Sequence, residues 1–228
     1  MRIVFVRHGH PNYEKDCLTE LGKLHANEAA IRLQEEGIQK IYSSTCGRAY
    51  ETAECSARRL GLDIVKCDFM REINWGSVDG EVIFADGHPW TAVDYMVEEN
   101  QDILDTQWAE KPLFAHNCLV TEVEQMARDV DEWMLTLGYR REGRYYRVEK
   151  NVLSTIAAFG HGGASAAILS HLFNLPFPFV CTAMGPTYTG ITIVTLSDEV
   201  GSLITPKFEI MNDARHIQKF RTENVYNR

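Results

Sequence analysis

Nothing in the 228 residues reads as a membrane span, since no apolar run approaches the roughly 20 residues that a bilayer crossing takes. No secretory leader is expected either: the apolar stretch Ile3–Val6 is far too short, and no small-residue cleavage site follows it. The six cysteines (Cys17, Cys46, Cys55, Cys67, Cys118 and Cys181) form no C-x-x-C pair. That argues against a zinc ribbon or a disulfide framework and predicts reduced thiols in a cytoplasmic protein. His25, His88, His116, His171 and His216 have no H-x-x-H or similar ligand spacing, so neither a metal site nor a cofactor is expected. A long basic tract is absent and the net charge is −9, which disfavours nucleic acid as a partner. A local basic pocket for a small anion stays open, and oligomeric state is not readable from any of this.

What is present is an alternation of apolar strands and helices. "IVFV" is a short apolar run of the kind that suits a strand buried on both faces. "CLTELGKLHANEAAIRLQEEGI" reads as a helix, with Leu21, Leu24, Ala29, Ile31 and Leu33 near helical spacing, Thr19 as N-cap and Gly37 as its end. "KIYSS" is a strand, "TCGRAYETAECSARRLGL" a helix stopped at Gly61, and "DIVKCDFM" a third extended segment. After a long interval come the strand "NVLSTIAAF", the helix "ASAAILSHLFNL" and extended segments at Ile191–Leu196 and Lys207–Met211. The pattern predicts an α/β three-layer sandwich, a mostly parallel sheet flanked by helices. One domain, 1–228, carries an insertion at about 76–150, with helices near Thr91–Asn100 and Glu122–Leu137 and a charged turn, "GYRREGRYYRVEK", that suits a hairpin. As a lid it is expected over the carboxyl ends of the strands, where open α/β sheets bind ligands.

Four features fall at or just after strand ends: Arg7-His8-Gly9, Arg48, Glu72, and His161-Gly162. Taken alone, Arg48 reads as a solvated charge and Glu72 as a surface acid. Together they have a chemistry. Two arginine forks suit phosphate oxygens, and a glycine-flanked helix start offers backbone N–H groups to an anion. A neutral imidazole can act as nucleophile toward phosphorus, and a carboxyl group can protonate the departing oxygen. The set spells phosphoryl transfer without need of a metal.

These residues resemble the histidine phosphatase superfamily in its phosphoglycerate-mutase-like branch. "VRHG" is similar to the nucleophile motif, "LTELGKLHA" to an L-T-x-x-G-x-x-Q-A helix with His25 in place of glutamine, and "YSSTCGRAYETA" to S-S-x-x-x-R-A-x-E-T-A. "REINWG" and "FGHGGASAAILSHL" resemble the acid and second-histidine segments. The resemblance implies that His8 becomes phosphohistidine, that Arg7, Arg48, His161 and Gly162 cradle the phosphoryl group, and that Glu72 is the proton donor, with Asp79 and Glu81 as nearby rival acids. It departs from R-H-G-E-[ST]-x-x-N in "RHGHPNYE", which makes His10 and Tyr13 candidate substrate contacts; His10 reads equally as a surface residue. The insertion shows no counterpart of a mutase's basic, proline-rich segment. The expected activity is a phosphatase for a small phosphorylated metabolite, releasing inorganic phosphate. The alternatives are a phosphoglycerate-type mutase and a non-catalytic phospholigand-binding protein. The insertion's aromatic residues, Trp90 among them, read as lid core. Arg140, Arg141, Arg144 and Arg147 are either a solvated hairpin face or a second anion site.

Overall fold

The computed structural model describes residues 1–152 and 154–220. Its strands are β1 (Arg2–Arg7), β2 (Pro11–Asn12), β3 (Cys17–Leu18), β4 (Ile38–Ser43), β5 (Ile64–Lys66), β6 (Tyr139–Glu142), β7 (Tyr145–Val148), β8 (Thr155–Gly160), β9 (Ile191–Thr195), β10 (Leu203–Ile204) and β11 (Lys207–Asp213). Its α-helices are α1 (Glu20–Leu33), α2 (Gly47–Leu60), α3 (Pro89–Glu98), α4 (Leu119–Thr136), α5 (Gly162–Phe173) and α6 (Phe177–Ala183). The central sheet runs β11-β9-β1-β8-β4-β5. β1, β8, β4 and β5 are parallel, whereas β9 and β11 run against their neighbours. The predicted mostly parallel α/β architecture is the one observed.

Strand alternation divides the core into two layers. Ile3 and Phe5 of β1 and Ile156 and Ala158 of β8 pack with α4, α5 and α6 on one face. Val4, Val6, Ala157 and Phe159 pack with α1 and α2 on the other. Burying each isoleucine, valine or phenylalanine among them contributes about 1.5–3 kcal/mol, and both faces of the central strands are thereby covered.

Helix ends follow local chemistry. Thr19 caps α1, its hydroxyl oxygen accepting from the Gly22 N–H at 3.1 Å. Gly61 closes α2 with φ 68°, and Gly37 takes φ 66° after a 3₁₀ turn prolongs α1. The inner face of α1 differs from the apolar set expected: Leu24 and Ile31 are exposed, and Gly22, His25, Ala26, Ala29, Ala30 and Leu33 face inward. Those mostly small residues oppose Ala49, Thr52, Ala53, Ser56 and Ala57 of α2, so the two helices pack closely. Close packing selects size as well as apolarity.

The 76–150 stretch divides between the two ends of the sheet. Its first part stays near the carboxyl ends of the strands: the Cys118 N–H donates to Gly76 O at 2.9 Å, and the Asn74 side chain donates to Glu122 at 3.3 Å. Asn117, buried, accepts from the Gly76 and Leu119 amides and donates to Gly87 O. Its last part does not sit over those ends. α4 carries the chain to the opposite end, where β6 and β7 form the hairpin and β7 pairs with β10. There the Tyr139 hydroxyl donates to Ser197 O, beside the Leu196 amide that bonds to Met1 O at the start of β1. The hairpin arginines are therefore remote from Arg7 and His8. Arg140 pairs with Glu142 and Glu149, Arg147 with Glu142, Arg141 reaches Asn174, and Arg144 is exposed. They form a solvated, ion-paired face.

Candidate active site

Sheet register brings the site together. β1 and β8 align Arg7 with Gly160, and the His8 N–H donates to Gly160 O at 2.9 Å, so His8 and His161 leave adjacent strand ends side by side. β4 aligns Ser43 with Phe159, and the Ser44 N–H donates to Phe159 O. Arg48 arrives on the first turn of α2. All the residues expected at the phosphate pocket, Arg7, His8, Arg48, Glu72, His161 and Gly162, meet at this end of the sheet.

His8 is 1% exposed. Its Nδ1 lies 2.7 Å from Gly9 O, which can only accept, so Nδ1 carries the proton and Nε2 presents its lone pair. Nε2 is buried without a partner among the described residues. Burial, then the Arg7 guanidinium and further Arg48 and His10, hold the imidazole well below its ordinary value and keep it neutral. The His161 ring stands 5.2 Å from it, centroid to centroid, and is held neutral by burial and by the His8, Arg48 and Arg7 groups.

Ser44, which sequence reasoning passed over inside "YSSTCGRAYETA", holds the His161 ring. Its oxygen accepts from the Cys46 N–H at 3.1 Å and stands 2.8 Å from His161 Nε2. His161 Nδ1 is buried with no partner among the described residues, and a hydroxyl that donates to Nε2 leaves the ring's proton there.

The two arginines are fixed from outside. Arg7 donates through Nη1 to Pro186 O at 2.8 Å and lies 4.5 Å from the Tyr188 ring centroid. Arg48 pairs through Nη1 with Asp16, whose second oxygen accepts from the Gly47 N–H at 2.7 Å. One carboxylate from the loop between β2 and β3 thus orients an arginine and caps α2. Both guanidinium Nε atoms are buried and unpartnered among the described residues.

Glu72 reaches the site after the 3₁₀ turn that follows β5. Its Oε1 accepts from the Ala164 N–H at 2.8 Å, near the start of α5. Gly163 makes that approach possible, since a β-carbon there would stand 2.9 Å from Oε1 and 2.7 Å from Ile73 Cγ1. Burial pushes the carboxyl up from its ordinary value, against its backbone hydrogen bonds and the arginines. Of the rival acids, Asp79 accepts from Ser77 and from the Glu81 amide and pairs with His116, and the Glu81 side chain is exposed.

His10 is half-buried, its Nδ1 2.9 Å from the Thr19 hydroxyl and its ring 5.4 Å from Tyr188. Tyr13 is 62% exposed and stands 6.4 Å from the His8 ring and 5.3 Å from the Arg48 guanidinium. Tyr188, from the loop that leads into β9, was missed because no local motif marks it; it touches the Arg7, His8 and His10 neighbourhood at once.

The chain as a whole is similar to known proteins. The sequence pattern of the histidine phosphatase superfamily (branch 1) matches residues 3–207. Proteins of Escherichia coli named probable phosphoglycerate mutase GpmB are 33% identical over 88 residues, covering 35% of this chain. The match spans 41% of the length of those curated relatives. Among solved structures, the phosphoserine phosphatase of Entamoeba histolytica in complex with 3-phosphoglyceric acid superposes with a TM-score of 0.61 at 19% identity, over 95% of this chain and 98% of that one. A mycobacterial glucosyl-3-phosphoglycerate phosphatase with inorganic phosphate gives 0.63 at 22% identity, over 95% and 99%. At these identities the structural likeness is one of fold.

Proposed function

The chain belongs to the histidine phosphatase superfamily, branch 1, and from that premise we propose that it is a phosphatase hydrolysing a small phosphorylated metabolite through a phosphohistidine. The observation that carries the reading is His8: neutral, tautomerically fixed by Gly9 O, with a bare Nε2 between two arginines and a second histidine.

In the proposed reaction the Nε2 lone pair attacks phosphorus. The phosphorus–oxygen bond to the alcohol breaks, and its electron pair leaves on that oxygen, which takes the proton of Glu72. Arg7, Arg48, the Nδ1–H of His161 and the Gly162 amide meet the charge on the three equatorial oxygens. Glu72, now a carboxylate, removes a proton from water, whose oxygen attacks the phosphoryl group. The phosphorus–nitrogen bond breaks, phosphate departs, and His8 is again neutral. Two fixed guanidinium groups supply the positive charge, so the proposed reaction runs without a metal. Residues 76–118, beside Glu72, are the part of the insertion that would cover the pocket. Six cysteines scattered without a C-x-x-C pair suit a reducing, cytoplasmic setting. Among the described residues no helix is long and apolar enough to cross a membrane.

The test is release of phenol from a generic aryl phosphate. The wild-type protein turns over, and His8→Ala lowers the rate by about 10³-fold or more. Acid-labile, base-stable label on the wild-type protein accompanies turnover. Phosphate binding without any release in the intact protein would replace the phosphatase with a binding protein. Transfer between positions of phosphoglycerate with little net hydrolysis would replace it with a mutase.

A further inference from the structure

We propose that the leaving-group side of this pocket is an aromatic subsite, formed by Trp75, Trp90 and His88, that selects a phosphate ester of an uncharged alcohol bearing an aromatic ring. The inference rests on the phosphatase reading above and adds the class of substrate.

The direction of the leaving group follows from Glu72. A proton donor must touch the departing oxygen, so the carbon skeleton of the alcohol extends on the Glu72 side of the phosphoryl group. Trp75 lies three residues beyond Glu72 in the chain. Its ring stands 5.2 Å from His88 and 6.5 Å from Trp90, edge-on to both. Trp90 borders the phosphate cradle: its Cζ2 is 3.3 Å from where a β-carbon on Gly162 would stand, and the Arg7 guanidinium carbon is 3.5 Å from the same point. The three rings therefore form a continuous wall from the cradle outward. Tyr188, stacked on Arg7, and the exposed Tyr13 border the cradle from the β1 and β9 loops.

The wall is rigid and partly uncovered. His88 caps α3, its Nδ1 2.9 Å from the Thr91 hydroxyl, and Asn117 ties the adjoining Gly87 to the base of the insertion. Trp108 and Trp133 are buried in the core, whereas Trp75 keeps 38% of its surface in water. A rigid indole face left open next to a reactive centre is apolar area available to a ligand ring.

Charge points the same way. Arg7 and Arg48 are the groups committed to the phosphoryl oxygens. Arg71, next to Glu72 in the chain, is 60% exposed, stands 3.8 Å from Asp68, and acts on His161 more weakly than Arg7 and Arg48 do. Burial lowers His88 and disfavours its cation. A second anionic group on the alcohol would face the Glu72 side with its carboxyl and three aromatic rings, and the hairpin arginines are at the other end of the sheet. This separates the expected substrate from phosphoserine and phosphoglycerate, which carry a second charge.

The experiment compares benzyl phosphate, ethyl phosphate, phosphoserine and 3-phosphoglycerate as substrates, with Trp75→Ala and Trp75→Phe beside the wild type. Wild-type kcat/KM for benzyl phosphate exceeds that for ethyl phosphate by about tenfold or more, chiefly through KM, and exceeds both charged substrates. In Trp75→Ala the benzyl-to-ethyl ratio collapses toward one, and Trp75→Phe restores most of it. A ratio unchanged in Trp75→Ala, or a preference for either charged ester, overturns the inference while leaving the phosphatase intact. Binding of benzylphosphonate and ethylphosphonate to the wild-type protein, followed by calorimetry, reads the same subsite without turnover. Tighter binding of the benzyl compound with no hydrolysis of any ester would sink the phosphatase reading and keep the subsite; equal binding would sink the subsite.

Discussion

His25 should make the protein acid-labile by an amount that one substitution removes. The side chain is 0% exposed on the inner face of α1, with neither ring nitrogen partnered among the described residues. It faces His10 from the loop after β1, and His216 and the Phe220 ring (5.8 Å) from the C-terminal turn. Burial, and to a lesser degree His10 and His216, lowers its pKa from 6.5 to about 4. The unfolded chain then takes up a proton that the folded chain refuses, so stability falls as pH drops through 6.5 toward 4. Between pH 7 and pH 5 this one group costs about 2 kcal/mol, most of the full effect of its shift. Urea denaturation at the two pH values, for wild type and His25→Leu, isolates it. The wild type should lose about 2 kcal/mol more than the variant, or roughly 4–8 °C in Tm for a domain of this size. His8, His161 and His216, whose values are also lowered, weigh on both proteins alike. Equal losses in the two proteins would refute the reasoning, because His25 would then titrate in the folded state as it does in water.

Two further outcomes concern the site. Glu72 must be protonated to act as the acid and its carboxyl is raised, so kcat/KM should be highest on the acidic side and fall as pH rises through that raised value. The neutral state of His8, lowered well below 6.5, should keep the acidic limb away from the neutral range; Glu72→Gln flattens the alkaline limb and slows esters of poor leaving alcohols by about 10²–10⁴-fold. Asp16→Ala removes the carboxylate that holds Arg48 and caps α2; steady-state kinetics should show kcat/KM down by about tenfold, equivalent to one charge-assisted hydrogen bond.

Much of the fold was legible in the chain because its signals are local. Thr19, Gly37 and Gly61 mark helix ends by chemistry within a few residues, and β1, β4 and β8 are short apolar runs. The polar residues at their ends converge because parallel strands in register end together. What escaped depends on partners far away in sequence. Ser44 acquires its role only from His161, and Asp16 only from Arg48. Tyr188 enters through a loop leading into an antiparallel strand, whose direction an apolar run does not reveal. The hairpin at residues 139–148 was recognisable as a hairpin, but its place at the far end of the sheet depends on the length of α4 and on pairing with β10. The aromatic residues of the insertion looked alike in sequence; packing buried Trp108, Trp133, Tyr139 and Tyr146 and left Tyr145 exposed.

The base of the insertion is buttoned shut. Gly76 and Cys118 are joined by a backbone hydrogen bond, Ser77 bridges to Asn117, and the buried Asn117 side chain secures both banks. The chain between those two points is consequently a cassette, entering and leaving the domain through one clasp that lies beside Glu72. Its exposed turns can change in length without re-registering any strand of the central sheet, whereas Val93, Met96, Trp108 and Phe114 are tied into the main core. The catalytic residues all lie outside the cassette, His88 and Trp90 lie inside it, and Trp75 stands at its threshold, next to Gly76.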